Sequence, residues 1–148
     1  NKAKAWSSLN RVGSIAIQGE GSLGLRMRRQ FLQSQKRGKT FTKLTRSTII
    51  IGADLPNLSE LDLINAIEKL KSNELVLGPA EDGGYWLIGL SINLVGPIPS
   101  WPFSGIKWGT DSVLRETINR AKKRGIKFEL INELNDLDQV IDLIPWQK

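Results

Sequence analysis

Apolar positions change their spacing several times along the chain, and each change marks a strand giving way to a helix or the reverse. Residues 12–18 have the β-branched and apolar content of a short strand and run into the turn cluster Gly19-Glu20-Gly21-Ser22. Ser22 is suited to cap a helix. Leu23, Met27 and Phe31 then recur at four-residue spacing, an amphipathic stripe with Gly38 as the expected stop. Residues 47–52 hold three consecutive isoleucines, and such a run between turn signals predicts a strand buried on both faces, as in a parallel sheet. Asp54 and Pro56 close it. Ser59-x-x-Asp62 has the form of a capping box for the next helix, whose apolar stripe is Leu63, Ile67 and Leu70.

Residues 74–78 predict another strand, and residues 85–90 a further one, antiparallel to its neighbour because the connection is too short for a crossover. Residues 91–107 carry Pro97, Pro99 and Pro102 and predict loop. Thr110 stands where it can cap a helix reaching Arg124, with Gly125 as its stop; a strand at 126–131 and a short helix at 136–144 complete the series. The order β-α-β-α-β-β-loop-α-β-α predicts an α/β fold, an αβα sandwich with a mostly parallel sheet and one reversed strand.

With 148 residues, 40% of them hydrophobic, the chain is sized for a single domain over residues 1–148. It has no apolar run of about 18 residues and no signal-peptide core at its start, so a cytoplasmic protein without a membrane partner is expected. Cysteine and histidine are both absent, which removes disulfides, thiolate and imidazole metal sites and Cys or His nucleophile systems. Any bound metal must sit on oxygen. The net charge of +6 is concentrated in residues 26–46 and 115–127; it suits a phosphorylated small molecule or a plain basic surface, and no motif points to nucleic acid.

Several residues are placed for chemistry. Asp54, just beyond a strand, stands where ligands gather in open α/β sheets, and it can hold a magnesium or manganese ion or simply end a turn. Glu81-Asp82-Gly83-Gly84 sets two acids before two glycines that let backbone approach a ligand; with Asp54 it would form a cluster of oxygen ligands at one sheet edge. Gly19-x-Gly-x-x-Gly24 has the spacing of a dinucleotide fingerprint, but no acidic residue follows at a strand end about 20 residues on, so that reading is rejected. The helix start beside Arg26 still suits an anion. Trp108 serves either the core or a flat wall against a sugar or base, and Thr110 a helix cap, while Asp136 and Asp138 read as helix-start charges.

Five blocks in order carry a resemblance: Gln18-x-Gly-x-Gly-Ser-Leu-Gly-x-Arg-Met27, Gly52-Ala-Asp-Leu-Pro56, the run from Leu77 through Glu81-Asp82-Gly83-Gly84-Tyr85-Trp86 to Leu90, Ile106-Lys-Trp-Gly-Thr110 and Asp136-Leu-Asp138. Together they resemble the GT-A-like glycosyltransferase family associated with radical-SAM genes and arsenosugar biosynthesis, over roughly residues 15–143. The resemblance implies a GT-A-like fold, a nucleotide-diphosphate sugar donor bound with Mg2+ or Mn2+, and a small-molecule acceptor. It places Asp54 at the family's metal-binding aspartate and Glu81 and Asp82 at its acidic loop. Because Asp82 directly precedes the two glycines, it is expected to face the metal, with Glu81 as acceptor-side base or as an anchor of the turn. Gly19, Gly21, Ser22, Leu23, Arg26, Trp108 and Thr110 fall in the family's nucleotide-sugar-binding blocks.

One departure stands out. The family's opening strand and Pro-x-x-Gly-x-x-Lys-Thr-Arg-Leu loop have no counterpart here, so an N-terminally truncated domain with reduced competence is expected. The rival expectations are a nucleotidyltransferase of the same fold and a non-catalytic remnant.

Overall fold

The computed structural model describes residues 17–42, 46–94 and 99–134, and the side chains of 36–42 fall outside the description. The strand expected at 12–18, apart from its last two residues, and the helix expected at 136–144 therefore lie outside the described residues.

The first helix, α1 (Leu23–Thr42), begins where the glycine turn ends, and the Ser22 hydroxyl accepts the Leu25 amide at 3.4 Å. It runs past Gly38, since one glycine costs an exposed helix only about 1 kcal/mol. Met27 and Phe31, on the expected stripe, are buried, while Leu23 is half exposed. Strand β1 (Thr48–Ile51) follows, then α2 (Glu60–Ser72), which opens on the expected capping box: Ser59 Oγ accepts the Asp62 amide and Asp62 accepts the Ser59 amide at 2.9 Å. On α2 the inward residues are Ala66 and Leu70, and Ile67 of the expected stripe is exposed.

Strands β2 (Leu75–Pro79) and β3 (Tyr85–Leu90) form an antiparallel hairpin, as the short connection required. A 3-10 turn follows at Ile92–Leu94, and the described residues 99–107, with Pro99 and Pro102, form neither helix nor strand. Helix α3 (Val113–Lys123) starts after Ser112, not after Thr110, and neither hydroxyl caps it: the Thr110 hydroxyl pairs with Ser112 Oγ and donates to the Lys107 carbonyl, both at 2.8 Å. Gly125, at φ 66°, ends the helix as expected, and strand β4 (Phe128–Leu130) follows.

Among the described residues the sheet order is β1-β3-β2-β4. The one reversed strand, β3, lies between β1 and β2 and pairs antiparallel with both, so only β2 and β4 pair in parallel. The sheet is mixed, not mostly parallel. This placement leaves β1 outermost among the described strands, and the triple isoleucine is half buried, with Ile51 41% exposed. Helices α1 and α3 cover one face, where Phe31, Leu77, Ile88, Leu90 and Phe103 form the larger core; α2 covers the other, over Val76, Trp86 and Leu87.

The β2–β3 register breaks at the end next to their connection. Gly78 pairs with Leu87 but Pro79 pairs with Tyr85, so Trp86 is an extra, unpaired residue. The extra residue puts both Trp86 and Leu87 on the α2 face and turns Tyr85 toward α1 and α3, the re-aiming of a side chain that bulges perform.

Candidate functional site

The C-terminal ends of β1 and β2 open on the same end of the sheet, and a cavity of about 380 Å3 lies there between the start of α1, the β1 and β3 ends and the segment leading into α3. Four residues of α1, Leu23, Arg26, Met27 and Gln30, line it at the spacing of one helix face. The sheet contributes Ile50, Ile88, Tyr85 and Trp86; Trp108, Thr110 and Val113 close the far side. The inner wall is apolar and its aromatic members are ordered against each other, Tyr85 and Trp108 meeting edge to face with ring centres 6.3 Å apart.

The closure depends on close approach of α1 to the loop before α3. A side chain at Gly24 would overlap the Phe103 carbonyl and come within 2.7 Å of the Trp108 ring. Phe31 packs on Phe103 with ring centres 5.4 Å apart. Arg120 of α3 holds the loop from behind, its guanidinium donating to the carbonyls of Trp101 (3.2 Å), Ser104 and Gly105 (2.6 Å) and pairing with Glu116 at 2.6 Å.

The acidic turn between β2 and β3 is fixed from two sides. Asp82 Oδ1 accepts the Gly84 amide at 2.8 Å, and the Gly83 carbonyl accepts the Leu114 amide at 2.9 Å, so the turn seats on the first turn of α3. Gly83 has φ 84° and any side chain there would overlap the Asp111 backbone; only glycine fits. Asp82 thereby lies on the cavity wall, exposed at its mouth. Glu81 is exposed and outside the wall.

Asp54 is exposed in the turn after β1, beside the wall residues Gly52 and Ala53 but not itself on the wall. Asp54, Glu81 and Asp82 do not come together as the expected cluster: among the described residues no group of three or more carboxylates is arranged to hold a metal. The turns that carry them meet at one sheet end, since Gly52 donates to the Trp86 carbonyl at 2.8 Å, but all three acids are exposed and Asp82 alone of them lies on the cavity wall. Magnesium is commonly held by one or two carboxylates together with substrate phosphates. Asp82, which lies on the wall, would serve an ion carried in on a phosphate; the three acids do not form an all-protein cage.

The remaining expected residues divide between wall and turn. Leu23, Arg26, Trp108 and Thr110 reach the cavity; Gly19, Gly21 and Ser22 shape the turn before α1 and do not line it. Gly19 and Gly21 have positive φ, and the Gly21 carbonyl accepts Arg26 Nε at 2.9 Å, which sets the guanidinium at the mouth. Arg29 folds back onto the carbonyls of Gln18 and Glu20 and braces the same turn.

Gln30 and Tyr85 are among the wall residues not anticipated from the sequence. Gln30 follows Leu23 and Met27 on the stripe that predicted the helix, so its position there was the available signal. Tyr85 carried no signal, because the bulge that turns it inward is invisible in strand alternation. Burial pushes the Tyr85 phenol well above its ordinary pKa; the nearby Thr117 hydroxyl opposes this, but it donates to the Val113 carbonyl at 2.9 Å and does not complete a hydrogen bond to the phenol.

An α/β sandwich with a mixed sheet and a ligand-sized cavity at the strand ends defines the class. Residues 1–110 match the model of the family described as "Uncharacterized protein conserved in bacteria (DUF2064)", and the chain belongs to that family. Its fold is similar to the crystal structure of a protein from Desulfovibrio desulfuricans G20 provisionally assigned as a nucleotide-diphospho-sugar transferase, with a TM-score of 0.77 and 25% identity. The match covers 97% of this chain and 58% of that one, so the chain spans little more than half the length of that structure. No curated protein matches the chain.

Proposed function

We propose that this domain is part of a metal-dependent glycosyltransferase that takes a nucleotide-diphosphate sugar as donor. The observation that carries the reading is the cavity itself: one cation and one acid, Arg26 and Asp82, stand at the mouth of a pocket whose inner wall is apolar and aromatic. Such a pocket offers a diphosphate a charged rim and a sugar or base ring a flat wall. The fold shared with a provisionally assigned nucleotide-diphospho-sugar transferase supports it.

In this reading Arg26 binds the diphosphate, Trp108 and Tyr85 orient the ring, and the α1–Phe103 contact keeps water from that wall. Asp82 and Asp54 would hold Mg2+ or Mn2+, which when bound would neutralise the leaving diphosphate. The acceptor oxygen bonds to the anomeric carbon as the bond to the diphosphate breaks, and the acceptor's proton passes to a carboxylate, assigned to Glu81. Arsenosugar biosynthesis is a narrower proposal, carried by the resemblance alone.

The full-length protein, incubated with a nucleotide-diphosphate sugar, Mg2+ and a pool of hydroxylated acceptors, should release nucleoside diphosphate. Release of pyrophosphate from a nucleoside triphosphate and a sugar 1-phosphate would identify a nucleotidyltransferase instead. Neither product, with no nucleotide binding, would end the transferase reading.

A further inference from the structure

The cavity is graded from mouth to floor. Gln18, Arg26, Asp82 and Thr110 are exposed at the mouth, whereas the buried wall residues are Met27, Ala80, Trp86, Ile88 and Val113. None of these five side chains has a free hydrogen-bond donor, and the one acceptor among them is the weak thioether of Met27. The Trp86 indole already donates to the Asn132 carbonyl at 3.1 Å, and the backbone of Ile88 lies inside the sheet between β1 and β2. Tyr85 and Gln30 do not change this. The Tyr85 hydroxyl and the Gln30 carboxamide nitrogen are buried away from the open space, so Tyr85 gives the cavity ring carbon. An ion on such a floor loses hydration without a partner, and so does each hydroxyl of a sugar. A hydrocarbon sheds ordered water and gains contact with ring faces and aliphatic side chains.

We infer that the floor receives the hydrocarbon part of an apolar acceptor, an alcohol on an aromatic or branched aliphatic group whose hydroxyl stays toward the mouth. The inference rests on the transferase reading and deepens it by naming the acceptor's class. The donor of that reading carries charge on its diphosphate and hydroxyls on its sugar, which belong at the Arg26 rim and on the half-buried Trp108; the acceptor is the substrate left for the floor. The alcohol oxygen takes the place of the diphosphate oxygen on the anomeric carbon, and its proton leaves to the carboxylate assigned above.

The test titrates the full-length protein with benzyl alcohol, cyclohexylmethanol, methyl glucoside and the uridine, thymidine and guanosine diphosphates. Saturation-transfer NMR reads the alcohols and the glycoside, and calorimetry the nucleotides. The parent should bind both alcohols at least about tenfold more tightly than methyl glucoside, whose hydroxyls would go unpaired on the floor; this ranking needs no variant. Met27→Gln and Val113→Thr each keep the approximate size of the side chain and set a polar group on the floor. Each should lose roughly threefold to tenfold in affinity for both alcohols, with melting temperature reporting whether the variant is folded. Arg26→Gln should lose nucleotide and keep the alcohols. Alcohol binding by a parent that binds none of the nucleotides would end the transferase reading and leave the floor's ligand class standing. Methyl glucoside binding as tight as benzyl alcohol, no alcohol binding by the parent, or unchanged alcohol affinity in the folded floor variants would overturn the inference. So would displacement of benzyl alcohol by a nucleoside diphosphate, which would put the base on the floor.

Discussion

Trp86 lies flat over Gly78, so that a methyl group at Gly78 would overlap the indole, and the indole nitrogen reaches across to donate to the Asn132 carbonyl at 3.1 Å. The glycine makes room for the extra residue of the β3 bulge, and the bulge turns Tyr85 into the cavity. Gly78→Ala should therefore displace Trp86 and lower stability by about 1–3 kcal/mol, as over-packing does. Thermal denaturation with near-ultraviolet circular dichroism would show both effects. An unchanged melting curve and tryptophan signal would mean that Trp86 does not depend on this contact.

The capping box of α2 has a pH signature. The Ser59 hydroxyl and then the Ser59 amide, both bonded to the Asp62 carboxylate, hold its pKa below the ordinary value. A carboxylate with a depressed folded pKa contributes stability above its unfolded value, about pH 4, and loses it as pH falls through the lower folded value. Asp62→Asn should lower the melting temperature at pH 7 and converge with the parent at about pH 3 or below. Ser59→Ala should cost about 1 kcal/mol at neutral pH. A pH-independent difference for Asp62→Asn would show that charge is not involved.

How far the sequence disclosed this molecule depended on whether a residue's role was local. The Ser59–Asp62 box, the Met27 and Phe31 stripe, the short β2–β3 connection and the Gly125 stop all act within a few residues, and each was readable in advance. The isoleucine run was readable as a strand but not in its burial. Its burial depends on which strand lies beside it, and the insertion of β3 between β1 and β2 is a long-range choice that periodicity does not encode. Thr110 does not cap the helix because its hydroxyl bonds back to the Lys107 carbonyl and the helix begins only after Ser112. At the site, the glycine-flanked acids and Trp108 were visible as residue types, whereas Gln30 and Tyr85 owe their position to helix phase and to a bulge.

Arg120 should prove a positioning residue for the cavity. Its guanidinium joins the Trp101, Ser104 and Gly105 carbonyls to Glu116, and the loop it holds continues to Trp108 and Thr110. Arg120→Gln should cost about 1.5–3 kcal/mol, the worth of a charged hydrogen bond, and should weaken ligand binding more than Arg124→Gln, whose parent residue stacks on Trp101 at 5.4 Å and donates to the Arg120 carbonyl at 3.1 Å but does not hold the loop before α3. Comparable binding losses in the two variants would count against a positioning role.

The three acids of the proposed site separate by variant. Asp82→Asn and Asp54→Asn should each weaken Mg2+-dependent nucleotide binding with little effect on folding, because both side chains are exposed. Glu81→Gln should keep donor binding and slow transfer by roughly 10²–10⁴-fold. Nucleotide titrations with and without Mg2+, followed by product release assays, would check this; full activity in Glu81→Gln would remove it from the proton-transfer role.

The hairpin that carries the acidic turn also bears on how the chain finds its structure. Pro79 meets Tyr85 across a connection of a few residues, whereas Thr48 must find Leu90 and Leu75 must find Phe128 over long stretches of chain. Loop closure favours the short pairing first, so β2 and β3 zip before either outer strand can dock on them. Leu77→Ala and Ile88→Ala should then slow refolding, while Ile50→Ala should mainly speed unfolding. The segment that presents Asp82 is thus laid down at the start of folding, and the pocket walls are added around it afterwards.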